Sequence, residues 1–454
     1  MIIISILTIF PDLFDQFLKT SFIGRLEEKG LIKFNVFNLL STTAVKVRID
    51  APTVGPGPGM LLKPEVIEKG LACCAEQFGP SFNIFFTPQG KLLDQPFLNE
   101  FASSLASSSS APCDSSSDIA PQVRSAGTRH IALICGRYEG FDYRTEAFFA
   151  DLQLSIGDYV LMGGELPAQV FLEGLCRLIP GVLGNSESVA TDSFQSPLLD
   201  HSQFAKPDVW NGLKIPEVLL SGDHGKINQW RINDALTKTL KLRFDFFRTH
   251  RNSSLFGVQA LSSIPSHYVI LMHSLVLNKE GVEVVTSCKS IDLHDISRAC
   301  TTYGFKRFFV VQPLFDQQEI VKSFSAYWAS EDGEKAHGNR QVALGSMEIS
   351  STIEEALSKI STIEGLPPIV IATSARDREL SNMISYHDQG KIWSLERPVV
   401  LVLGTGYGLT ESLIVRCDYV LRPVCGMTKY NHLSVRSAAA IIFDRWLGLN
   451  QKLI

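Results

Sequence analysis

Long apolar runs are missing from this 454-residue chain. The longest candidates, such as Ile2 to Phe10, are strand-sized and stop at Pro11, short of the roughly 20 residues a bilayer-crossing helix needs. No basic stretch followed by a cleavable apolar one opens the sequence, so a cytoplasmic rather than a secreted or membrane protein is expected. Paired cysteines are missing too. The nine present are an odd number and scattered, with Cys73 and Cys74 adjacent and no C-x-x-C spacing, so reduced thiols and no metal centre are expected. An excess of positive charge is also absent, because the formal net charge is −5. Affinity for nucleic acid would have to come from a local patch.

What is present is ordinary globular composition, 45% hydrophobic and 20% charged, on a chain long enough for several domains. Ile2 to Phe10 and Ile32 to Leu39 read as buried strands, with a helix from Leu13 to Lys29 that stops at Gly30. Phe82 to Thr87 runs into Pro88-Gln89-Gly90, and Ile131 to Cys135 runs into Gly136. This alternation predicts an α/β domain with a mainly parallel sheet over residues 1–183. A serine-rich insert at 102–128 has too little apolar surface to order itself. Residues 184–196 read as a linker, and 197–262 as a short all-helical domain. A second α/β alternation occupies 263–454, with strand candidates Tyr268 to Val276, Phe308 to Val311, Ile369 to Thr373 and Val399 to Leu403.

Two glycine-rich segments carry the chemistry. Ile134 to Gly140 reads ICGRYEG, and Ser155 to Ala168 reads SIGDYVLMGGELPA. Glycines at strand ends let backbone groups approach a flat ligand, and ligands of open α/β sheets sit at such carboxyl ends. Tight turns would use the same residues. Neither segment has dinucleotide-fingerprint spacing, and Gly55 to Gly59 lacks the Lys-Ser/Thr of a phosphate loop.

Taken in order with IPGVLG (Ile179 to Gly184), DSF (Asp192 to Phe194), LLSGDHGKINQWR (Leu219 to Arg231), SILTIFP near the start and TPQGKLLDQ (Thr87 to Gln95), these segments resemble the tRNA (guanine-N1)-methyltransferases of the TrmD family over about residues 1–250. The resemblance implies a SPOUT-class sheet tied into a trefoil knot, a rare exception to unknotted chains. It also implies a homodimer with a shared active site, and methyl transfer from S-adenosyl-L-methionine to N1 of the guanosine at position 37, beside the anticodon of tRNA. It places Gly136, Ile156, Gly157, Asp158, Tyr159, Val160 and Leu161 on the donor, with Tyr138, Glu139, Gly140, Gly163 and Gly164 lining the same pocket. Phe85, Phe86 and Thr87 would form its apolar wall.

Guanine N1 carries a proton at neutral pH, so methylation asks for a base there and a cation where charge builds toward O6. By resemblance these are Asp192 and Arg177. Read without it, they are a linker carboxylate and a helix-surface charge. The basic stretch Lys226, Arg231, Lys238, Lys241, Arg243, Arg248 and Arg251, opposed only by Asp234 and Asp245, is a solvated face or an RNA-binding face. The resemblance favours the second, with the anticodon arm as partner. The chain departs from the family at Asn38-Leu39-Leu40, at Val45, and at Asp50 to Met60, where prolines stand and the tyrosine of a D-x-P-Y-G-G-G motif is missing.

Beyond the family's usual end, Gly404 to Gly408, Leu421-Arg422-Pro423 and Asn431 to Arg436 before an alanine-rich helix resemble a second SPOUT methyltransferase domain. Asn431, Ser434 and Arg436 fit helix capping as well. A second catalyst, a relic and an RNA-gripping module all remain open for it. For the whole chain, two rivals to the methyltransferase are a non-catalytic RNA-binding protein and a Rossmann-type oxidoreductase, the latter disfavoured by the glycine spacing.

Overall fold

The computed structural model describes residues 1–42, 48–55, 59–106, 129–181, 192–250, 252–330 and 341–449. The chain divides into two compact units, Met1–Gln195 and Ser196–Leu453.

In the first unit the chain runs β1 (Ile2–Thr8), α1 (Asp12–Lys19), α2 (Ser21–Glu28), β2 (Ile32–Asn38), β3 (Asp50–Pro52), β4 (Met60–Leu62), α3 (Pro64–Phe78) and β5 (Phe82–Leu92). It continues through α4 (Gln95–Ala106), β6 (His130–Ile134), α5 (Tyr143–Phe149), β7 (Leu152–Ser155) and α6 (Glu165–Arg177). Five strands form one parallel sheet in the order β2-β1-β6-β5-β7. Apolar residues cover both faces, as an all-parallel sheet requires. Ile4, Ile6, Ile84 and Leu133 face α1, α2, α4 and α6, whereas Leu7, Phe85 and Ile134 face α3.

The expected helix over 13–29 is two helices. Thr20 is extended (φ −89°, ψ 138°) and ends the first, and Ser21 sits at φ 51°. Gly30 does stop the second, at φ 65°. The insert starts later than expected, because α4 reaches Ala106 with Phe101 and Leu105 buried against the sheet. Residues 107–128 lie outside those described, as does Val45.

The second unit opens with a small hairpin, β8 (Val209–Trp210) and β9 (Leu213–Lys214). The helices α7 (Glu217–Leu220), α8 (His224–Leu242), α9 (Phe244–Thr249) and α10 (Gly257–Ser262) follow. Next come β10 (His267–Met272), β11 (Val276–Leu277), β12 (Glu283–Val284), α11 (Ser290–Tyr303), β13 (Arg307–Val311), α12 (Phe315–Ala329), β14 (Met347–Ser350) and α13 (Ile353–Glu364). The chain ends with β15 (Ile369–Thr373), β16 (Met383–Ile384), α14 (Gln389–Trp393), β17 (Val399–Gly404), α15 (Glu411–Ile414), β18 (Tyr419–Leu421) and α16 (Val435–Leu447). Seven parallel strands run in the order β14-β13-β10-β17-β15-β18-β16.

The helical segment does not stand apart from this sheet. Leu236, Leu240, Phe244 and Phe247 share one core with Val269, Leu271, Phe308, Trp393 and Phe443. Where composition points to three compact units, the structure has two, because the apolar sides of α8 and α9 are buried by the terminal domain. Among the described residues no helix is long and apolar enough to cross a membrane.

Candidate active site

At the carboxyl ends of β5, β6 and β7 the first unit opens a cleft of about 270 Å³. The loop after β6 and the loop after β7 lie side by side there. Gly164 N–H donates to Gly136 O (2.8 Å), and Arg137 and Gly163 form an antiparallel bridge. Glycine is required at 164 by this approach: a Cβ there would stand 2.7 Å from Cys135 Cα, whereas one on Gly163 would press on the Arg137 and Glu165 side chains. Tyr138 takes the left-handed conformation (φ 60°), which a non-glycine residue rarely adopts outside constrained sites.

A buried polar knot secures the same region. The Glu165 carboxylate accepts from Thr8 Oγ1 (2.7 Å) and pairs with Arg137 Nε (2.9 Å). The guanidinium lies over the Phe10 ring at 4.4 Å. The hairpin β3–β4, where the sequence departs from the family, braces the loop from the other side. Glu139 N–H donates to Met60 O (3.0 Å), and Leu62 N–H to Gly140 O (3.3 Å). Residues 56–58 of that hairpin lie outside those described.

Of the expected donor-binding residues, Thr87, Gly136, Tyr138, Glu139, Gly140, Ile156, Gly157, Tyr159, Val160, Leu161, Gly163 and Gly164 all line this cleft. Phe85 does not. Successive strand residues face opposite ways, so Phe86 reaches the cleft while Phe85 is buried edge-on to Phe141, ring centroids 4.9 Å apart. Asp158 is not in the lining either. Arg137 and Met162 line it without having been singled out from the sequence, although both lie inside the quoted motifs. Val160 and Met162 are 90% and 87% exposed, an unusual state for side chains of this size.

Arg177, in the last turn of α6, forms an ion pair with Asp192 across 15 residues of sequence. Neither lines the cleft. The Gln195 N–H donates to Asp192 O (3.3 Å), and Asn99 Nδ2 donates to Gln195 Oε1 (2.8 Å), which ties this stretch to α4. Residues 184–191 of the expected linker lie outside those described.

The basic stretch is largely engaged inside the second unit. Lys238 Nζ donates to Asp200 O (2.7 Å), Lys241 pairs with Glu396 (3.0 Å) and Arg243 with Asp245 (3.1 Å). Arg248 donates to Arg445 O (2.6 Å) and Asp444 O (2.7 Å). Lys226 is exposed beside Asp223 (3.1 Å), and Arg231 is exposed. Arg251 lies outside the described residues. In the terminal domain Ser434 caps α16, Arg436 pairs with Asp292 (3.0 Å), and Asn431 Nδ2 donates to Ala375 O (2.8 Å).

The sequence model described as tRNA (Guanine-1)-methyltransferase TrmD matches residues 2–106 and 116–249, more than half of the chain. The chain belongs to that family. A second model, described as SAM-dependent RNA methyltransferase, matches residues 266–448 of this family member. Proteins named tRNA (guanine-N(1)-)-methyltransferase from Oleidesulfovibrio alaskensis and from Nitratidesulfovibrio vulgaris are each 35% identical to it over 98% of this chain and 99% of their own. The similarity therefore spans both units. A solved tRNA (m1G37) methyltransferase from Aquifex aeolicus is 28% identical, covering 52% of this chain and 93% of its own, with a TM-score of 0.40. The expected family, the methyl-donor chemistry and the second methyltransferase-like domain are borne out.

The cleft suits S-adenosylmethionine. Glycine backbone, Phe86, Leu154 and Pro167 can contact a flat ring, and Glu139 brings a carboxyl side chain that an amino group can meet. Among the described residues no three His, Cys, Asp or Glu gather to hold a metal.

Proposed function

We propose that the protein methylates N1 of the guanosine at tRNA position 37, in the cytoplasm, as a homodimer whose active site combines one subunit's cleft with the other's Arg177 and Asp192. The separation of two ready-made parts carries this reading. The cleft is assembled in one chain, and the Arg177–Asp192 pair in that same chain lies outside its lining. Exposed apolar side chains around the cleft, Phe10, Val160, Met162, Leu166 and Val170 among them, offer a partner subunit a surface to cover. The two glycine loops in contact suit a knotted crossing, and the residues that brace them suit a rigid one.

Bound in the cleft, S-adenosylmethionine supplies an electrophilic methyl group on a sulfonium. As the N1–methyl bond forms, the N1 proton passes to the Asp192 carboxylate, and Arg177 faces the negative charge building toward O6. Until the guanine arrives, each of the two side chains neutralises the other, so neither charge waits unpaired.

Incubation with labelled donor and unmodified tRNA should yield 1-methylguanosine, and tRNA with adenosine at position 37 should yield none. Asp192→Asn should lower turnover by about 10²–10⁴ while donor binding persists, as for loss of a general base. Mixing Asp192→Asn subunits with Gly164→Val subunits tests the shared site. Activity above that of either variant alone is expected, and none would mean that each chain works by itself.

A further inference from the structure

Strand β5 does not run straight past the cleft. Its register against β7 pairs Phe86 with Leu154 and then Lys91 with Leu154 again, so residues 87–90 leave the sheet and return. Thr87 and Pro88, on this excursion, line the cleft. Gly90, the last residue before the ladder resumes at Lys91, passes so close that a Cβ would stand 2.5 Å from Leu154 N, which leaves room for no other residue. Pro88 has no N–H to donate, and the excursion has left the ladder that would have held it.

The tie comes from Glu146 on α5. Its Oε2 accepts from Gln89 Nε2 (2.6 Å) at the excursion and lies 3.5 Å from Gln153 Nε2 on β7, next to cleft-lining Leu154. Helix α5 itself continues from the 136–140 loop, capped by Asp142. One carboxylate therefore links three walls of the cleft. It is 6% exposed and no cation pairs with it among the described residues. Burial raises its pKa above the ordinary value of 4.5. A leucine in this position would avoid that desolvation, so stability alone does not account for a carboxylate here.

We propose that Glu146 is a positioning residue for donor binding, holding the Thr87–Gly90 excursion in place as one wall of the cleft. The assignment rests on the reading of that cleft as the donor site. Glu146→Ala should raise the donor KM about tenfold, the scale of one lost hydrogen bond to a charged acceptor, with kcat at saturating donor within about twofold. Glu146→Gln keeps both the size and an acceptor oxygen and should restore most of the affinity, whereas Glu146→Leu, which fills the space without an acceptor, should not, as a purely steric role would have it do. Gln89→Ala removes the same bond from the solvent side without opening the core, and should reproduce the rise if Glu146→Ala fails to fold. Titration with S-adenosylhomocysteine, which does not react, separates the two layers of the argument. Wild-type protein that fails to bind overturns the cleft reading and this assignment together. Normal wild-type binding with unchanged affinity in Gln89→Ala, or a fall in kcat without a rise in KM, overturns the assignment alone.

Discussion

His267 and His273 are sealed in the second unit, and burial pushes both imidazoles down to about 4. Trp393 Nε1–H donates to His267 Nε2 (3.1 Å), which suits a neutral ring, and His273 Nδ1 lies 3.0 Å from Thr286 Oγ1. In the unfolded chain the same rings take up a proton below about 6.5. Between roughly pH 6.5 and 4 the unfolded state therefore binds more protons than the folded one, and stability falls as the pH falls. Each histidine accounts for roughly 3 kcal/mol across that whole window. Carboxylates with lowered pKa values, such as Glu364, act with the same sign but only at lower pH. The urea midpoint of the second unit should thus drop between pH 6.5 and 5. His273→Asn should shallow that slope whatever uniform loss it brings, and an unchanged slope would count against a neutral buried imidazole. At the cleft, Gly164→Ala forces a Cβ against the Cys135 and Gly136 backbone. It should cost about 1–3 kcal/mol, visible as a lower melting temperature and lost donor binding.

Helix α8 shows why the basic stretch could not be read as one face from composition. Charges count the same in sequence whether they meet solvent or a neighbour. Here Lys238 and Lys241 are spent on Asp200 O and Glu396, leaving Lys226 and Arg231 exposed nearer the start of the helix. Arg231→Ala should therefore lower the slope of log affinity for tRNA against log salt by about 1. Lys241→Ala should leave the slope alone and slightly lower thermal stability; the reverse pattern would return the RNA face to the end of the helix. The strands were more legible. Every anticipated strand of the two sheets is found, most with ends shifted by a few residues, because runs of β-branched and aromatic residues buried on both faces leave few alternatives. The cleft loops were legible through motif order, and Gly164 there is required by a close backbone approach. What the sequence hid depends on register and orientation: which of Phe85 and Phe86 faces the cleft, where β5 leaves its sheet, and what Glu146 holds. No local pattern encodes a hydrogen bond across 57 residues.

At the scale of the molecule, the decisive fact is that the helical segment shares its core with the terminal domain. Phe244 packs edge-on to Trp393 with centroids 4.9 Å apart, and Arg248 closes on the last turn of α16 through two backbone carbonyls. Gly390 sits so near Lys241 O that a Cβ there would lie 2.0 Å from it. In this protein the helical segment is therefore completed by the terminal domain. Removing 263–454 would bare Leu236, Leu240, Phe244 and Phe247, each close to fully buried here, and large side chains of this kind contribute about 1.5–3 kcal/mol apiece when buried. A loss of that size exceeds what a short helical segment can spare, given total stabilities of about 5–15 kcal/mol. The 1–262 fragment should therefore keep S-adenosylhomocysteine binding in its first unit, bind a hydrophobic dye and fail to bind tRNA. In the full chain Trp393→Ala should weaken tRNA binding without touching donor affinity. Normal tRNA methylation by the fragment would show that the terminal domain is an appendage to a self-sufficient helical segment, and the shared core would then need another explanation.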